Sequence, residues 1–122
     1  MQFSKVVFYS KDSAGLSQFL NEIFDTDIEY IDEVINHQCE FIKFEIRHTL
    51  ININNNAAPH EQKLKFTVSG PGEMAAIKQK IEFFCYRQNM NISDLIIDQS
   101  LNHLLIRDPD GREWDFSDIN QI

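Results

Sequence analysis

Two stretches of this chain match at a constant spacing, and that match limits the folds open to it. Lys5 and Lys63, Phe8 and Phe66, Leu16 and Met74, Phe19 and Ile77, and Ile23 and Ile81 all stand 58 positions apart. An offset kept through a strand-like run, a break and an amphipathic stretch marks an internal repeat more strongly than any single identity. In the first copy Lys5-Val6-Val7-Phe8-Tyr9 reads as a strand and Asp12 or Ser13 as a helix cap, with Leu16, Phe19, Leu20 and Ile23 as the buried stripe of the helix. In the second copy Lys63 to Val68 alternates, Gly70-Pro71-Gly72 breaks the chain, and Met74, Ile77, Ile81 and Phe84 mark another helix.

Three strands are expected after each helix. In the first copy they fall near Ile28 to Ile35, Cys39 to Ile46 and Thr49 to Ile53, with Arg47-His48 joining the last two. In the second they fall near Leu95 to Asp98, Asn102 to Arg107 and Glu113 to Phe116. Asp108-Pro109-Asp110-Gly111 lies between the final two and reads as a hairpin turn, since proline presets φ and glycine accepts positive φ. The sum is two βαβββ modules, about 1–54 and 61–122, joined by the polar, proline-interrupted Asn54 to His60. With 43% hydrophobic residues and ten phenylalanines, 122 residues suffice for the core of one α+β domain but are short for two.

A net charge of −8 opposes broad phosphate-backbone binding, so no nucleic-acid partner is expected. No apolar run approaches the ~20 residues needed to span a bilayer, and the opening residues lack a signal-peptide pattern, so a cytoplasmic protein with no membrane partner is expected. Cys39 and Cys85 stand far apart and outside a Cys-x-x-Cys pair, as befits buried, reduced thiols. Ser69 to Glu73 lacks the spacing of a phosphate loop, and His37, His48, His60 and His103 show no metal-ligand spacing. Phe83-Phe84-Cys85-Tyr86 reads as the last turn of the second helix packing into the core.

Side chains alternate across a strand, so residues can be assigned to faces. Val6, Phe8, Leu64, Phe66, Val68, Trp114 and Phe116 are expected under the helices. Lys5, Val7, Tyr9, Lys63, Lys65, Thr67, Glu113 and Asp115 then share the opposite face, joined by Asn52 if Ile51 and Ile53 are buried.

This organisation, ending in the Asp108 to Gly111 hairpin, resembles the vicinal oxygen chelate superfamily, which includes glyoxalase I, extradiol dioxygenases and the bleomycin- and fosfomycin-resistance proteins. The resemblance covers nearly the full chain. It implies a glyoxalase/bleomycin resistance-like fold in which two modules form a curved mixed sheet around a U-shaped cavity, and a homodimer that completes its cavities by pairing or swapping modules. In these relatives His, Glu or Gln from the first and last strand of each module bind a divalent metal. Those positions fall here on Lys5, Asn52, Lys63 and Asp115. A protonated lysine has no lone pair to give and an amide is a weak donor, so one carboxylate is left. The expectation is a metal-independent, cofactor-free protein that binds a small organic ligand, with Lys5, Tyr9, Asn52, Lys63, Lys65, Glu113 and Asp115 as the ligand-binding set and no catalytic residue assigned. The two ammonium groups would stand in for the cation and attract an anion, or else snorkel at the rim and pair with surface acids. The alternatives are a metal-dependent lyase, isomerase or dioxygenase with an unaligned site, and an interaction module whose cavity is closed.

Overall fold

Alternation of inward apolar and outward polar residues is the main pattern of the strands, clearest in Lys63–Val68, His103–Arg107 and Glu113–Asp118. The computed structural model describes residues 5–28, 34–38, 42–49 and 62–118. The first module contains β1 (Val6–Ser10), α1 (Ser13–Phe24), β2 (Val34–Gln38) and β3 (Lys43–His48). The second contains β4 (Lys63–Val68), α2 (Pro71–Arg87), a 3-10 turn (Ile92–Asp94), β5 (Ile96–Gln99), β6 (His103–Arg107) and β7 (Glu113–Asp118). One sheet runs β1-β3-β2 and the other β4-β7-β6-β5. The first strand of each module pairs in parallel with its last described strand, β1 with β3 and β4 with β7, while the remaining pairs are antiparallel.

Local chemistry accounts for the helix ends. Asp12 caps α1, its carboxylate accepting from the Gly15 amide, and Asp25 closes it in the left-handed region at φ 54°. Pro71 opens α2 after Gly70, whose φ of 95° suits glycine. The repeat survives in space: Leu16, Phe19 and Ile23 are buried, and so are their counterparts Met74, Ile77 and Ile81.

Both sheets turn their apolar faces toward the helices and share one core. Trp114 is its hub, with the rings of Phe8, Phe19, Phe24, Phe44 and Phe66 at 5.4 to 6.3 Å between centroids. Arg112 is buried beside it, its Nη1 donating to Asp108 at 2.7 Å and its guanidinium carbon 4.4 Å from the centre of the Phe8 ring. Asp108 also accepts from the Trp114 indole at 2.9 Å, so the hairpin turn is tied to the hub. Gly111 takes φ 88° in that turn.

Several expected boundaries move. β2 and β3 lie later than Ile28 to Ile35 and Cys39 to Ile46, and Arg47 and His48 end β3 instead of connecting two strands. His37 hid β2: it occupies a core-facing position on an alternating strand and is fully buried, bonded to Ser17 Oγ at 2.8 Å, so the apolar rhythm is broken there. Of Phe83 to Tyr86 only Phe84 and Cys85 enter the core, while Phe83 is 52% and Tyr86 84% exposed. The expected final strand of the first module lies outside the described residues beyond Thr49, whose amide donates to the Ser10 carbonyl. Cys39 and the whole of the linker Asn54 to His60 also lie outside them.

Candidate functional site

Burying Phe8, Phe44, Trp114 and Phe116, with Phe66 partly buried beside them, under the helices leaves the alternate residues on the outer faces of the two sheets. Lys5, Tyr9, Lys43 and Arg47 are exposed on the first sheet, and Lys63 and Lys65 on the second, where Glu113 and Asp115 are half-buried. The parity argument therefore places six of the seven expected residues on outer faces, and Asn52 lies outside the described residues.

Strand register identifies a residue that the sequence reading missed. Val7 pairs with Glu45, and Lys65, the repeat partner of Val7, pairs with Asp115. Glu45 is thus the counterpart of Asp115 at the end of the first module, the place aligned above with Asn52. The signal was present in Lys43-Phe44-Glu45-Ile46, whose alternation carries Glu45 outward once Phe44 and Ile46 go inward. Lys5 Nζ donates to Glu45 Oε1 at 2.6 Å, and Arg47 Nε donates to Oε2 at 2.5 Å. These two bonds, Lys5 first, hold the Glu45 carboxyl below the ordinary carboxylate range. The flanking side chains also cover it, leaving the Glu45 side chain 7% exposed on a face that otherwise meets solvent.

Asp115 is engaged in a different way. His103 opens β6 on the same face, and its Nε2 lies 2.7 Å from Asp115 Oδ1. A carboxylate only accepts, so Nε2 carries the proton. His103 Nδ1 lies 3.7 Å from Asp98 Oδ2, and Ser117 Oγ donates to Asp115 Oδ1 at 3.3 Å. Lys63 approaches Glu113 at 3.4 Å. Among the described residues the charged contacts on the outer faces each stay within one sheet: Lys5 and Arg47 with Glu45, Lys63 with Glu113, and the His103 ring beside Asp98 and Asp115.

A separate groove of about 500 Å³ lies near the C-terminal ends of α1 and α2, lined in part by Asn21, Glu22, Asp25, Phe84 and Arg87. Its carboxylates have partners: Glu22 lies 3.7 Å from Arg87 and Asp25 2.8 Å from Lys80.

Two modules with parallel first and last strands, sharing one core and carrying charged outer faces, define the α+β glyoxalase/bleomycin resistance-like class. Solved structures agree. The chain is similar to an integron cassette protein from the mobile metagenome of V. cholerae (13% identity, TM-score 0.65, 98% of this chain and 95% of that one). It is similar to a lactoylglutathione lyase from Agrobacterium tumefaciens (13%, 0.65, 96% and 92%). It is also similar to the fosfomycin resistance protein FosX from Listeria monocytogenes, in a mutant form complexed with Mn(II) and 1S,2S-dihydroxypropylphosphonic acid (13%, 0.64, 95% and 90%). No protein-family model and no curated protein matches the chain. The chain has the vicinal oxygen chelate fold; at these identities the likeness carries the architecture and not the chemistry.

The metal of such relatives does not fit the residues described. The four equivalent positions hold Lys5, Glu45, Lys63 and Asp115. Two of these have no lone pair when protonated, and both carboxylates are already bonded to side chains of this chain. Among the described residues no group of three His, Cys, Asp or Glu side chains could hold a metal ion. No helix of the described residues is long and apolar enough to cross a membrane.

Proposed function

We propose that this chain is a metal-independent, cytoplasmic small-molecule-binding protein, one domain over 1–122, that takes an organic anion against the outer faces of its sheets. The carrying observation is that Glu45 and Asp115, at equivalent places in the two modules, are occupied by Lys5, Arg47 and His103. Ammonium and guanidinium groups then supply the positive potential that a divalent ion would supply elsewhere. Lys5, Tyr9, Lys63, Lys65, Glu113 and Asp115 form the binding set, with Glu45 and Arg47 added. The partner is a small molecule, and the protein is a homodimer in this reading: both outer faces look away from the shared core, so a second copy would wall the site.

A catalytic reading has one observation in its favour, the short His103 to Asp115 bond with Asp98 on the far side of the ring. That arrangement fixes a tautomer with Nδ1 as the base.

Native mass spectrometry after separate incubations with Zn²⁺, Mn²⁺, Fe²⁺ and Ni²⁺ tests the proposal. A metal-free dimer is expected, with any co-purified small molecule visible as added mass. Stoichiometric metal per chain would sink it and favour an enzyme.

A further inference from the structure

Among the described residues, three cations and one carboxylate crowd the outer face of the first sheet, Lys5, Lys43 and Arg47 around Glu45, in a chain whose net charge is −8. Among the described residues the outer face of the second sheet is balanced, with Lys63, Lys65 and Arg107 against Asp98, Glu113 and Asp115. Excess positive charge among the described residues is thus concentrated on one of the two faces. The molecule as a whole repels an anion, and this face locally does not.

Arg47 is placed to select the shape of that anion. It meets Glu45 through Nε, and its side chain is 47% exposed. A guanidinium engaged through Nε can still take a carboxylate on its Nη1/Nη2 edge in the two-bond geometry that lysine cannot reproduce. In the strand register Arg47 is flanked by Tyr9 on β1 and by Val34 on β2, which are 42% and 47% exposed. The Tyr9 ring, whose hydroxyl also interacts with Arg47, and the Val34 side chain offer surface on both sides of the guanidinium that suits the flat body of the molecule carrying the carboxylate. Glu45 keeps the guanidinium oriented and at the same time opposes the ligand's charge.

We infer that the outer face of the first sheet is a binding site for small aromatic carboxylates, with Arg47 as the bidentate anchor, Lys5 as a second cation, and Tyr9 and Val34 as apolar walls. This deepens the binding reading above and rests on it.

The test uses 4-fluorobenzoate and its uncharged counterpart 4-fluorobenzamide, followed by fluorine NMR with the full chain. Fluorobenzoate is expected to broaden and shift on titration and fluorobenzamide is not. Arg47→Lys is expected to weaken binding about ten-fold or more, because the paired hydrogen bonds are lost while the charge is kept. Glu45→Gln is expected to tighten it about three-fold or more, because a neighbouring negative charge is removed. Lys78→Met on α2, outside the binding set, is expected to bind like the parent, and a doubly substituted K63M/K65M protein reports on the second sheet. Binding that survives Arg47→Lys and Glu45→Gln unchanged but is lost in K63M/K65M would overturn the inference and leave the broader binding reading standing on the second sheet. No response of the parent protein at millimolar fluorobenzoate would overturn it outright, and the metal measurement above would then judge the broader reading separately.

Discussion

Arg112 and Asp108 form a fully buried ion pair, Nη1 to Oδ2 at 2.7 Å, inside the turn that joins β6 to β7. The pair holds more than the turn. Arg112 also donates to Gln62 Oε1 at 2.6 Å and to the Tyr9 carbonyl at 3.2 Å, so one guanidinium ties the last hairpin to the first strand of both modules. Asp110, two residues from Asp108, lies 3.6 Å from the same guanidinium, and burial pushes its carboxyl above the usual range.

Removing one member of such a pair strands the other away from water. Arg112→Met is expected to destabilise the protein by about 3–5 kcal/mol. Urea unfolding measures it. A loss below about 1 kcal/mol would mean that water or rearranged side chains satisfy Asp108.

His37 makes stability depend on pH. Burial lowers its pKa from 6.5 to about 4, and its Nδ1 has no hydrogen-bond partner among the described residues. Below pH 6.5 the unfolded chain takes up a proton that the folded chain refuses. The stabilisation is therefore complete above 6.5 and is lost as pH falls toward 4, by roughly 3 kcal/mol in all. Urea midpoints between pH 8 and pH 4 should fall accordingly, and His37→Gln should flatten that slope between 6.5 and about 4. A parent protein equally stable at pH 7 and pH 4.5 would refute it. The lowered Glu45 carboxyl adds an acid-sensitive contribution of the same sign, beginning lower, below its ordinary value of 4.5.

Neighbours on α2 should respond very differently to the same change. Phe84 is 3% exposed and packs edge-on to Phe19 at 5.4 Å, whereas Phe83 is 52% exposed. Phe84→Ala should cost about 3–5 kcal/mol and Phe83→Ala within about 1 kcal/mol. Thermal or urea unfolding of the two variants checks the helix phase, and comparable losses would contradict it.

His103 should be locked in one tautomer. With Nε2 donating to Asp115, nitrogen NMR of the neutral ring is expected to show the proton on Nε2. Asp115→Ala should release the ring to a mixture. A predominant Nδ1–H form in the parent would break the proposed bond.

What could be read from residues in order was whatever depends on local periodicity. The repeat, both helices, the Asp108 to Gly111 turn and the outward parity of Lys5, Tyr9, Lys63, Lys65, Glu113 and Asp115 follow from spacing along the chain. So do β6 and β7 of the second module, whose core-facing residues Leu104, Ile106, Trp114 and Phe116 alternate without interruption. The first module was less legible, since buried His37 wears a polar name and derives its place from Ser17, 20 residues away.

Partnership was decided only in three dimensions. That β1 lies beside Lys43–His48, and hence that Glu45 and not Asn52 matches Asp115, follows from hydrogen bonds between strands separated by a helix and another strand. That Lys5 and Arg47 close on Glu45, and His103 on Asp115, follows from sheet register in the same way. Alternation along a strand determines which face a side chain joins, because it is a property of the backbone pleat. Which neighbour it meets there depends on strand pairing, and pairing is set by how the two modules bury their apolar faces together.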